Sequence, residues 1–190
     1  MKDTTTDRRV RKTKKMLRQA LTKLLLEKDI KDISVMELTE FADINRGTFY
    51  LHYKDIYDLY EQIENELLDK FKNIFDKHFH EKHRQILFPI VLEAFEFLAK
   101  NADICLVILS SGDTGFLTKL IELGKPKKKE EWREFLGEMD EEYYEYYYSY
   151  ITSGCVGLLR TWFTGGMKES PKKMAELAGK MIESNKVTRG

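Results

Sequence analysis

The stretch from Ser34 to Tyr60 constrains the fold more than any other part of this 190-residue chain. Ser34 is a good helix N-cap, and Glu37 three residues later completes the sequence pattern of a capping box. A turn-sized gap follows at residues 42–44, and Asn45 can cap a second helix there. The apolar residues of the first helix have the spacing of one buried face; they are Val35, Leu38, Phe41 and Ala42. The stretch therefore predicts two short helices separated by a tight turn.

The second of these helices has two different faces. Phe49 points to one side, whereas other sides carry polar groups able to touch another molecule, namely Arg46, Thr48, Tyr50 and His52. Asp55 is a further N-cap signal, with Asp58 three residues on, so a third helix begins with almost no linker. Two short helices joined at a steep angle form a helix-turn-helix. In that motif the second helix presents its N-terminal residues to the major groove of DNA.

The run from Asn45 to Lys54, which reads Asn-Arg-Gly-Thr-Phe-Tyr-Leu-His-Tyr-Lys, follows a basic amphipathic helix. With the cap at Asp55, this pattern resembles the DNA-binding domain of TetR/AcrR-type transcriptional regulators over about residues 8–68. The resemblance implies an all-α fold, with an N-terminal three-helix helix-turn-helix domain and a C-terminal helical domain that binds a ligand and dimerises. The family commonly has a phosphate-contacting lysine where this chain has Ile56, so Lys54 is the expected substitute.

On this interpretation, one surface of the N-terminal domain contacts double-stranded DNA. Arg46 and Thr48, at the start of the second helix, are expected to reach base edges or flanking phosphates, and Tyr50 and Lys54 are expected to contact phosphates. The full set of predicted DNA-binding residues is Ser34, Thr39, Asn45, Arg46, Gly47, Thr48, Tyr50, His52, Tyr53, Lys54, Arg8 and Lys12. A two-fold dimer would place two recognition helices about 34 Å apart on a palindromic operator.

The charge of the chain is distributed unevenly although it sums to zero. Residues 1–54 hold 13 Lys and Arg against 8 Asp and Glu, a formal +5. Subtraction from the totals of 32 and 32 leaves 19 and 24 in residues 55–190, a formal −5. A basic head on an acidic body fits a protein that binds nucleic acid. We therefore predict a DNA-binding domain over residues 1–54 and a ligand-binding and dimerisation domain over residues 55–190.

The body of the chain has helical spacing almost throughout. Apolar periodicity from Ile56 to Phe79 predicts one long helix. On a later helix, small residues recur every four positions, at Ser149, Ser153, Gly157, Thr161 and Gly165. Such a stripe lets another helix approach closely, within one chain or between two, and the resemblance implies a homodimer formed by the last two long helices. The predicted dimer interface consists of Ser149, Ser153, Gly157, Thr161, Trp162, Met174, Leu177 and Met181.

Tyrosines between residues 143 and 150 lie nearly all round their helix, so some are buried and some exposed. In a regulator, such side chains could line an apolar ligand pocket that has a few polar groups. Plain core packing is at least as good an interpretation for each residue taken singly. The candidate pocket residues are Phe95, Cys105, Phe116, Tyr147 and Cys155.

Three of the four histidines lie within six residues, at His78, His80 and His83. His78 and His80 would point to different helix faces, so a solvated helix end is favoured over a metal site. The sequence has no phosphate-binding glycine loop, Cys-x-x-Cys pair or nucleophile elbow, which argues against an enzyme and predicts no cofactor. Cys105 and Cys155 lie in apolar contexts and are interpreted as buried thiols in a reducing compartment.

The sequence has no apolar run near the ~20 residues that a membrane span needs and no export signal. A cytoplasmic protein without a membrane partner is therefore expected. The predicted function is a dimeric, sequence-specific transcriptional regulator, a repressor released by an unidentified small-molecule effector. Two alternatives remain open: a TetR-like coactivator that acts mainly by protein contact, and a helical small-molecule-binding protein.

Overall fold

A computed structural model describes residues 4–79, 87–110, 114–125 and 140–184 of the chain. Within these ranges the regular structure is helical, as the sequence predicts, and contains no strand. The α-helices are α1 (Thr4–Leu25), α2 (Val35–Phe41), α3 (Arg46–Tyr50), α4 (Ile56–Phe79), α5 (Leu87–Lys100), α6 (Ala102–Ser110), α7 (Thr114–Gly124), α8 (Tyr144–Thr164) and α9 (Pro171–Ser184). No helix in this part of the chain is both long and apolar enough to cross a membrane.

The chain divides into two compact units, Met1–Leu67 and Leu68–Gly190. The division lies inside α4, so this helix contributes its first turns to one unit and its later turns to the other. The predicted boundary at residue 54 lies just before α4. Ile56, Leu59 and Ile63 are buried, which shows why the first turns of α4 belong to the core of the first unit.

The core of the first unit comes from one face of each of its helices. Its fully buried side chains include Leu17, Leu21, Leu38, Phe49 and Leu59. Burying a side chain of this size stabilises the folded state by about 1.5–3 kcal/mol relative to leaving it in water. The five-residue helix α3 is attached to this core through Phe49, whose ring centroid lies 5.5 Å from that of Tyr53.

Helix α2 begins as the sequence predicts, because the Ser34 Oγ accepts a hydrogen bond from the Glu37 N–H at 3.1 Å. The Glu37 carboxylate forms an ion pair with Lys28. The hydrogen bond from the Lys28 side chain is the main cause that lowers the pKa of Glu37. The predicted burial of Phe41 is wrong, since its side chain is 54% exposed. The buried face of α2 is centred on Leu38 and Thr39, which leaves Phe41 on the flank.

The turn between α2 and α3 places Asp43 in the left-handed region, with φ of 52°. The Asp43 N–H donates to the Glu40 carbonyl at 3.1 Å, and the Ile44 N–H donates to the Thr39 carbonyl at 2.9 Å. This pair of hydrogen bonds is a Schellman motif, which satisfies the last carbonyls of α2. The left-handed residue in such a motif is usually glycine, because a Cβ atom is strained there.

The second unit is held together by α5, α8 and α9. Helices α5 and α9 share the most extensive contact. The buried cluster consists of Ile90, Tyr144, Tyr147, Tyr148, Ile151 and Ile182. The Tyr147 hydroxyl donates to the Ile182 carbonyl at 2.8 Å, and the Tyr148 hydroxyl donates to the Ile121 carbonyl at 2.5 Å. These bonds satisfy buried hydroxyls that would otherwise destabilise an apolar core.

The left-handed turn gives a test of the first unit. Replacing Asp43 by Gly should leave the free energy of unfolding unchanged or raise it by up to about 1 kcal/mol, because the strain is relieved. Replacing Asp43 by Val should lower it by roughly 1–3 kcal/mol. Urea unfolding measures both changes. Asp29→Val is the matched control, since Asp29 has a φ of −67° that valine adopts readily; an equal loss in that variant would contradict the strain argument.

Candidate functional site

Helix α3 starts at a side-chain cap. The Asn45 Oδ1 accepts a hydrogen bond from the Gly47 N–H at 2.7 Å, as expected for an N-cap asparagine. A Cβ atom on residue 47 would lie 3.1 Å from that same Oδ1. A larger side chain at this position would therefore push against the cap. Gly47 and Asn45 together fix the exposed start of α3.

Arg46 and Tyr50 form a pair on the exposed side of α3. The Arg46 Nη2 donates to the Tyr50 hydroxyl oxygen at 3.2 Å, and the guanidinium carbon lies 5.6 Å from the centroid of the Tyr50 ring. Tyr50 is 49% exposed. Because the hydroxyl accepts from the guanidinium, its own O–H can point outward as a donor. The pair thus presents a positive charge and a hydroxyl donor side by side.

The start of α4 carries a second capped terminus close in sequence to α3. The Asp55 Oδ1 accepts from the Asp58 N–H at 2.8 Å, and the Asp58 Oδ2 accepts from the Lys54 N–H at 2.8 Å. The bond from the Lys54 backbone is the main cause that lowers the pKa of the Asp58 carboxyl. These bonds fix the backbone of Lys54, whose side chain is exposed. Ile56, at the position where the resemblance implies a phosphate-contacting lysine, is 4% exposed and packs in the core.

The predicted DNA-binding residues fall into three groups of exposure. Thr48 and His52 are half-buried. Thr39 is buried, and its hydroxyl donates to the carbonyls of Val35 and Met36 at 2.8 and 3.0 Å. Tyr53 is also buried, and burial raises its pKa to about 12. The exposed members are Arg8, Lys12, Ser34, Asn45, Arg46, Gly47, Tyr50 and Lys54.

The burial of Thr39 and Tyr53 gives both residues a structural role in the first unit. The Lys14 Nζ lies 5.9 Å from the centroid of the Tyr53 ring. Sequence reasoning did not include Lys14, since no motif marks a lysine whose partner is an aromatic ring elsewhere in the chain. Arg8 and Lys12 lie one turn apart on α1, where (i, i+4) side chains share a helix face.

The second unit contains a cavity of about 130 Å³. Its wall consists of Phe71, Phe75, Ile90, Val91, Ala94, Phe95, Leu98, Leu120, Ile121, Gly124, Tyr148, Ile151, Thr152, Cys155, Val156, Leu159 and Ile182. Of the five candidate pocket residues, Phe95 and Cys155 line this cavity. Cys105, Phe116 and Tyr147 are buried outside its wall. Sequence reasoning missed most of the wall, because helical periodicity identifies a buried face without showing which faces surround a space.

The polar groups of the cavity wall are engaged within the protein. The Thr152 hydroxyl donates to the carbonyls of Tyr148 and Ser149, at 2.9 and 3.1 Å, and the Tyr148 hydroxyl donates to Ile121. Burial raises the pKa of the Cys155 thiol to about 11. This thiol is therefore protonated at neutral pH and behaves as a small apolar group.

One part of the cavity wall is a tight contact between α4 and α7. A Cβ atom on residue 124 would lie 2.6 Å from the Phe75 Cζ. Gly124 is buried, so the Phe75 ring rests directly on the α7 backbone. Any side chain at position 124 would have to displace this ring, which also borders the cavity.

The residues predicted for the dimer interface separate by exposure. The small residues Ser149, Ser153, Gly157 and Thr161 are exposed on α8, and so are Leu177 and Met181 on α9. Trp162 and Met174 are instead buried within the chain. The indole Nε1 donates to the Glu169 carbonyl at 3.0 Å, and the Trp162 ring centroid lies 5.6 Å from that of Phe95.

His78, one of the clustered histidines, has a local partner. It is buried, and its Nε2 lies 2.8 Å from the Glu93 Oε2. The Lys77 Nζ donates to the same carboxylate oxygen at 2.9 Å. The hydrogen bond with Lys77 is the main cause that lowers the pKa of Glu93, and the hydrogen bond with His78 is the next largest. This arrangement joins α4 to α5. His80 and His83 lie outside the described residues.

Comparison with known proteins matches residues 85–184 to a TetR-type family profile described as "Transcriptional regulator C-terminal region". The chain is also 33% identical over 81 residues to the uncharacterized HTH-type transcriptional regulator YxbF of Bacillus subtilis. That match covers 38% of this chain and spans only 21% of the length of YxbF.

Two solved structures share the fold. The fatty acid degradation regulator FadR of Bacillus halodurans superposes with a TM-score of 0.69 at 14% identity, over 93% of this chain and 97% of that one. FadR of Bacillus subtilis, solved in complex with stearoyl-CoA, gives a TM-score of 0.64 at 15% identity, over 88% of this chain and 96% of that one. At these identities the likeness concerns the fold alone.

The contact between Gly124 and Phe75 gives a test of the packing around the cavity. Gly124→Ala should lower the free energy of unfolding by roughly 1–3 kcal/mol, because the added methyl group overpacks the site. Gly154→Ala is the matched control, since no heavy atom lies within 4 Å of the added Cβ in the chain. That variant should gain up to about 1 kcal/mol from helix propensity. Similar values in the two variants would contradict the described packing.

Proposed function

This chain belongs to the TetR family of transcriptional regulators, and from that premise we propose that it is a dimeric repressor that binds a specific DNA site and is released from it by a small molecule. The family consists of regulators rather than enzymes. The observation that carries the proposal is the exposed Arg46–Tyr50 pair at the capped start of α3. It places a cation and a hydroxyl on the helix that a helix-turn-helix presents to the major groove.

The proposed division of labour on DNA follows from the chemistry of the exposed groups. Arg46 is the candidate for reading a base, because a guanidinium can donate two hydrogen bonds to guanine. Tyr50 and Lys54 are the candidates for phosphate, together with the exposed basic residues Arg8 and Lys12 on α1. The formal +5 of residues 1–54 supports a sequence-independent attraction to DNA.

Exposed apolar groups support dimerisation through α8 and α9. Leu177 and Met181 are 39% and 49% exposed in the single chain. A Cβ atom on Gly157 would meet no heavy atom of the chain within 4 Å. A glycine inside a helix costs about 1 kcal/mol relative to alanine, and nothing described within the chain requires it here. Close approach of a second copy gives it a reason, in a two-fold interface where both copies use the same surface.

Helix α4 supports a coupling between ligand and DNA. Its side chains Phe71 and Phe75 line the cavity, and its first turn is capped beside Lys54. A ligand that fits the cavity in only one position of Phe75 would favour one arrangement of α4. DNA affinity then changes by the difference in ligand affinity between the two states. Release of DNA on binding is the proposed direction.

The coactivator alternative has one observation in its favour. Ile56 is buried where the family has a phosphate-contacting lysine, while Leu51 and Tyr57 near it in sequence are 79% and 56% exposed. Exposed apolar side chains of this kind suit contact with a protein.

Fluorescence anisotropy with DNA from upstream of the gene, at several salt concentrations, separates the two functions. A repressor should bind that DNA at least ~10³-fold more tightly than random DNA and lose affinity steeply with salt. Absence of binding to any DNA would favour the coactivator.

Substitutions on α3 and at the start of α4 test the DNA surface. Arg46→Ala should weaken specific binding by roughly 1–3 kcal/mol and relax sequence choice at one base pair. Lys54→Ala should weaken binding to all sequences. It should also reduce the slope of log affinity against log salt concentration by about one. Anisotropy measures both effects. Lys72→Ala, at an exposed lysine of the second unit, is the control that should bind as the unchanged protein does. If Arg46→Ala and Lys54→Ala both behaved like this control, the proposed surface would be wrong.

The dimer has its own test. Gly157→Glu and Leu177→Glu should each convert the dimer to monomer, because a charge would be buried against its own copy in a two-fold interface. Light scattering coupled to size exclusion measures the mass. Leu26→Glu is the control, since Leu26 is 59% exposed but lies in the first unit. Retention of the dimer in both interface variants would rule out α8 and α9 as the contact.

A further inference from the structure

The cavity in the second unit specifies the class of effector. We infer that it takes a compact, uncharged, apolar molecule about the size of benzene or toluene, and that this molecule acts as the effector of the proposed repressor. The inference rests on the proposed function for its regulatory part only. Binding itself follows from the size, the chemistry and the movable wall of the cavity.

The size of the cavity favours a small ligand. Its volume of about 130 Å³ is close to the ~150 Å³ of an engineered apolar cavity that binds benzene. An eighteen-carbon acyl chain has three times as many carbons as benzene and needs roughly three times that space. The acyl chain of stearoyl-CoA, the ligand in one of the related structures, is therefore larger than this volume.

The chemistry of the wall selects against charge. Among the described residues that line the cavity there is no Asp, Glu, Lys, Arg or His. A carboxylate or ammonium group placed there would lose its hydration with no opposite charge to compensate. The hydroxyl donors of Tyr148 and Thr152 are directed to protein carbonyls. The Cys155 thiol is protonated at neutral pH because burial raises its pKa to about 11, so reversible binding is expected there rather than attack by a thiolate.

The shape of the wall favours a ring. Phe71, Phe75 and Phe95 contribute aromatic rings from two helices, and Tyr148 contributes a fourth from α8. Aromatic rings attract one another in edge-to-face or offset arrangements. The Phe75 ring rests on the α7 backbone at Gly124, and it cannot move toward Gly124. An occupant that presses on the Phe75 ring therefore acts on α4, the helix that begins beside Lys54.

The experiment uses the full-length protein and a matched pair of probes. Toluene and benzoate have nearly the same shape, but benzoate is charged at pH 7. Calorimetry and the shift in unfolding temperature measure binding of each probe and of stearoyl-CoA. Toluene should bind with a Kd of roughly 1 mM or tighter, and benzoate at least ~10-fold more weakly. No binding of toluene, or tighter binding of benzoate or stearoyl-CoA, would overturn the inference.

Two variants on one helix locate the site. Ala94 lines the cavity and Ala99 on the same helix does not. Ala94→Leu should fill the space and weaken toluene binding at least ~10-fold, whereas Ala99→Leu should bind toluene as the unchanged protein does. Unfolding without ligand shows that each variant is folded. As a second test, Leu159→Ala should enlarge the cavity and shift preference from toluene to naphthalene. Unchanged toluene binding in Ala94→Leu would place the probe elsewhere and overturn the site.

DNA binding, measured in parallel, separates the ligand class from the proposed function. Toluene should lower operator affinity of the unchanged protein and leave that of Ala94→Leu unaltered. If the protein bound no DNA but bound toluene as expected, the repressor proposal would fail while the ligand class stood. If it bound its operator but not toluene, the ligand class alone would fail. Toluene binding without any effect on DNA affinity would overturn the effector role.

Discussion

A helix of five residues cannot hold itself together, because forming the first turn costs more than its few hydrogen bonds return. Helix α3 has this length, and the surface proposed to contact DNA depends on it. Its stability comes from outside its own turns: the Asn45 side chain satisfies a terminal N–H, and Phe49 is fully buried. The Schellman turn at Asp43 sets the direction in which the chain leaves α2. One cap, one anchor and one turn thus position every exposed group of α3.

Helix α4 has the opposite property, since it is long and buried along one face in both units. Ile56, Leu59 and Ile63 pack in the first unit, and Phe71 and Ile74 are buried in the second. A continuous helix whose two ends belong to different cores cannot change position at one end without cost to the packing of that core. The proposed regulation would therefore act through the packing of Phe71 and Phe75, which line the cavity.

The helix caps of this chain were predictable from sequence, whereas several of its tertiary contacts were not. The caps at Ser34 and Asn45 are formed by side-chain oxygens acting on backbone a few residues away, so the spacing of residues was sufficient. Phe41 was assigned to the wrong face because a two-turn helix leaves the centre of its buried stripe undetermined until its neighbours are known. Tyr53 has the chemistry of a phosphate-binding residue, yet packing against Phe49 holds it in the core.

The wall of the cavity could also be predicted from sequence only in part. Phe95 and Cys155 were recognisable as apolar groups with pocket character, but Phe75 and Tyr148 become wall residues only when α4, α5, α7 and α8 are placed around one space. A cavity has no sequence pattern, because it depends on how the side chains of several separate helices pack around one space. The separation of exposed Leu177 from buried Met174 on α9 also depended on which side of the helix faces α5.

The position of Trp162 connects the fluorescence of the second unit to its cavity. Its indole is buried with its ring centroid 5.6 Å from that of Phe95, and Phe95 lines the cavity. The indole N–H is fixed to the Glu169 carbonyl, so the emission of this residue depends on a constrained, apolar surrounding. A molecule bound in the cavity would contact Phe95 and should change, through it, the wavelength and lifetime of Trp162 fluorescence. With Trp132 replaced by phenylalanine, Trp162 would be the single tryptophan, excited selectively over the tyrosines and in contact with a residue of the cavity wall.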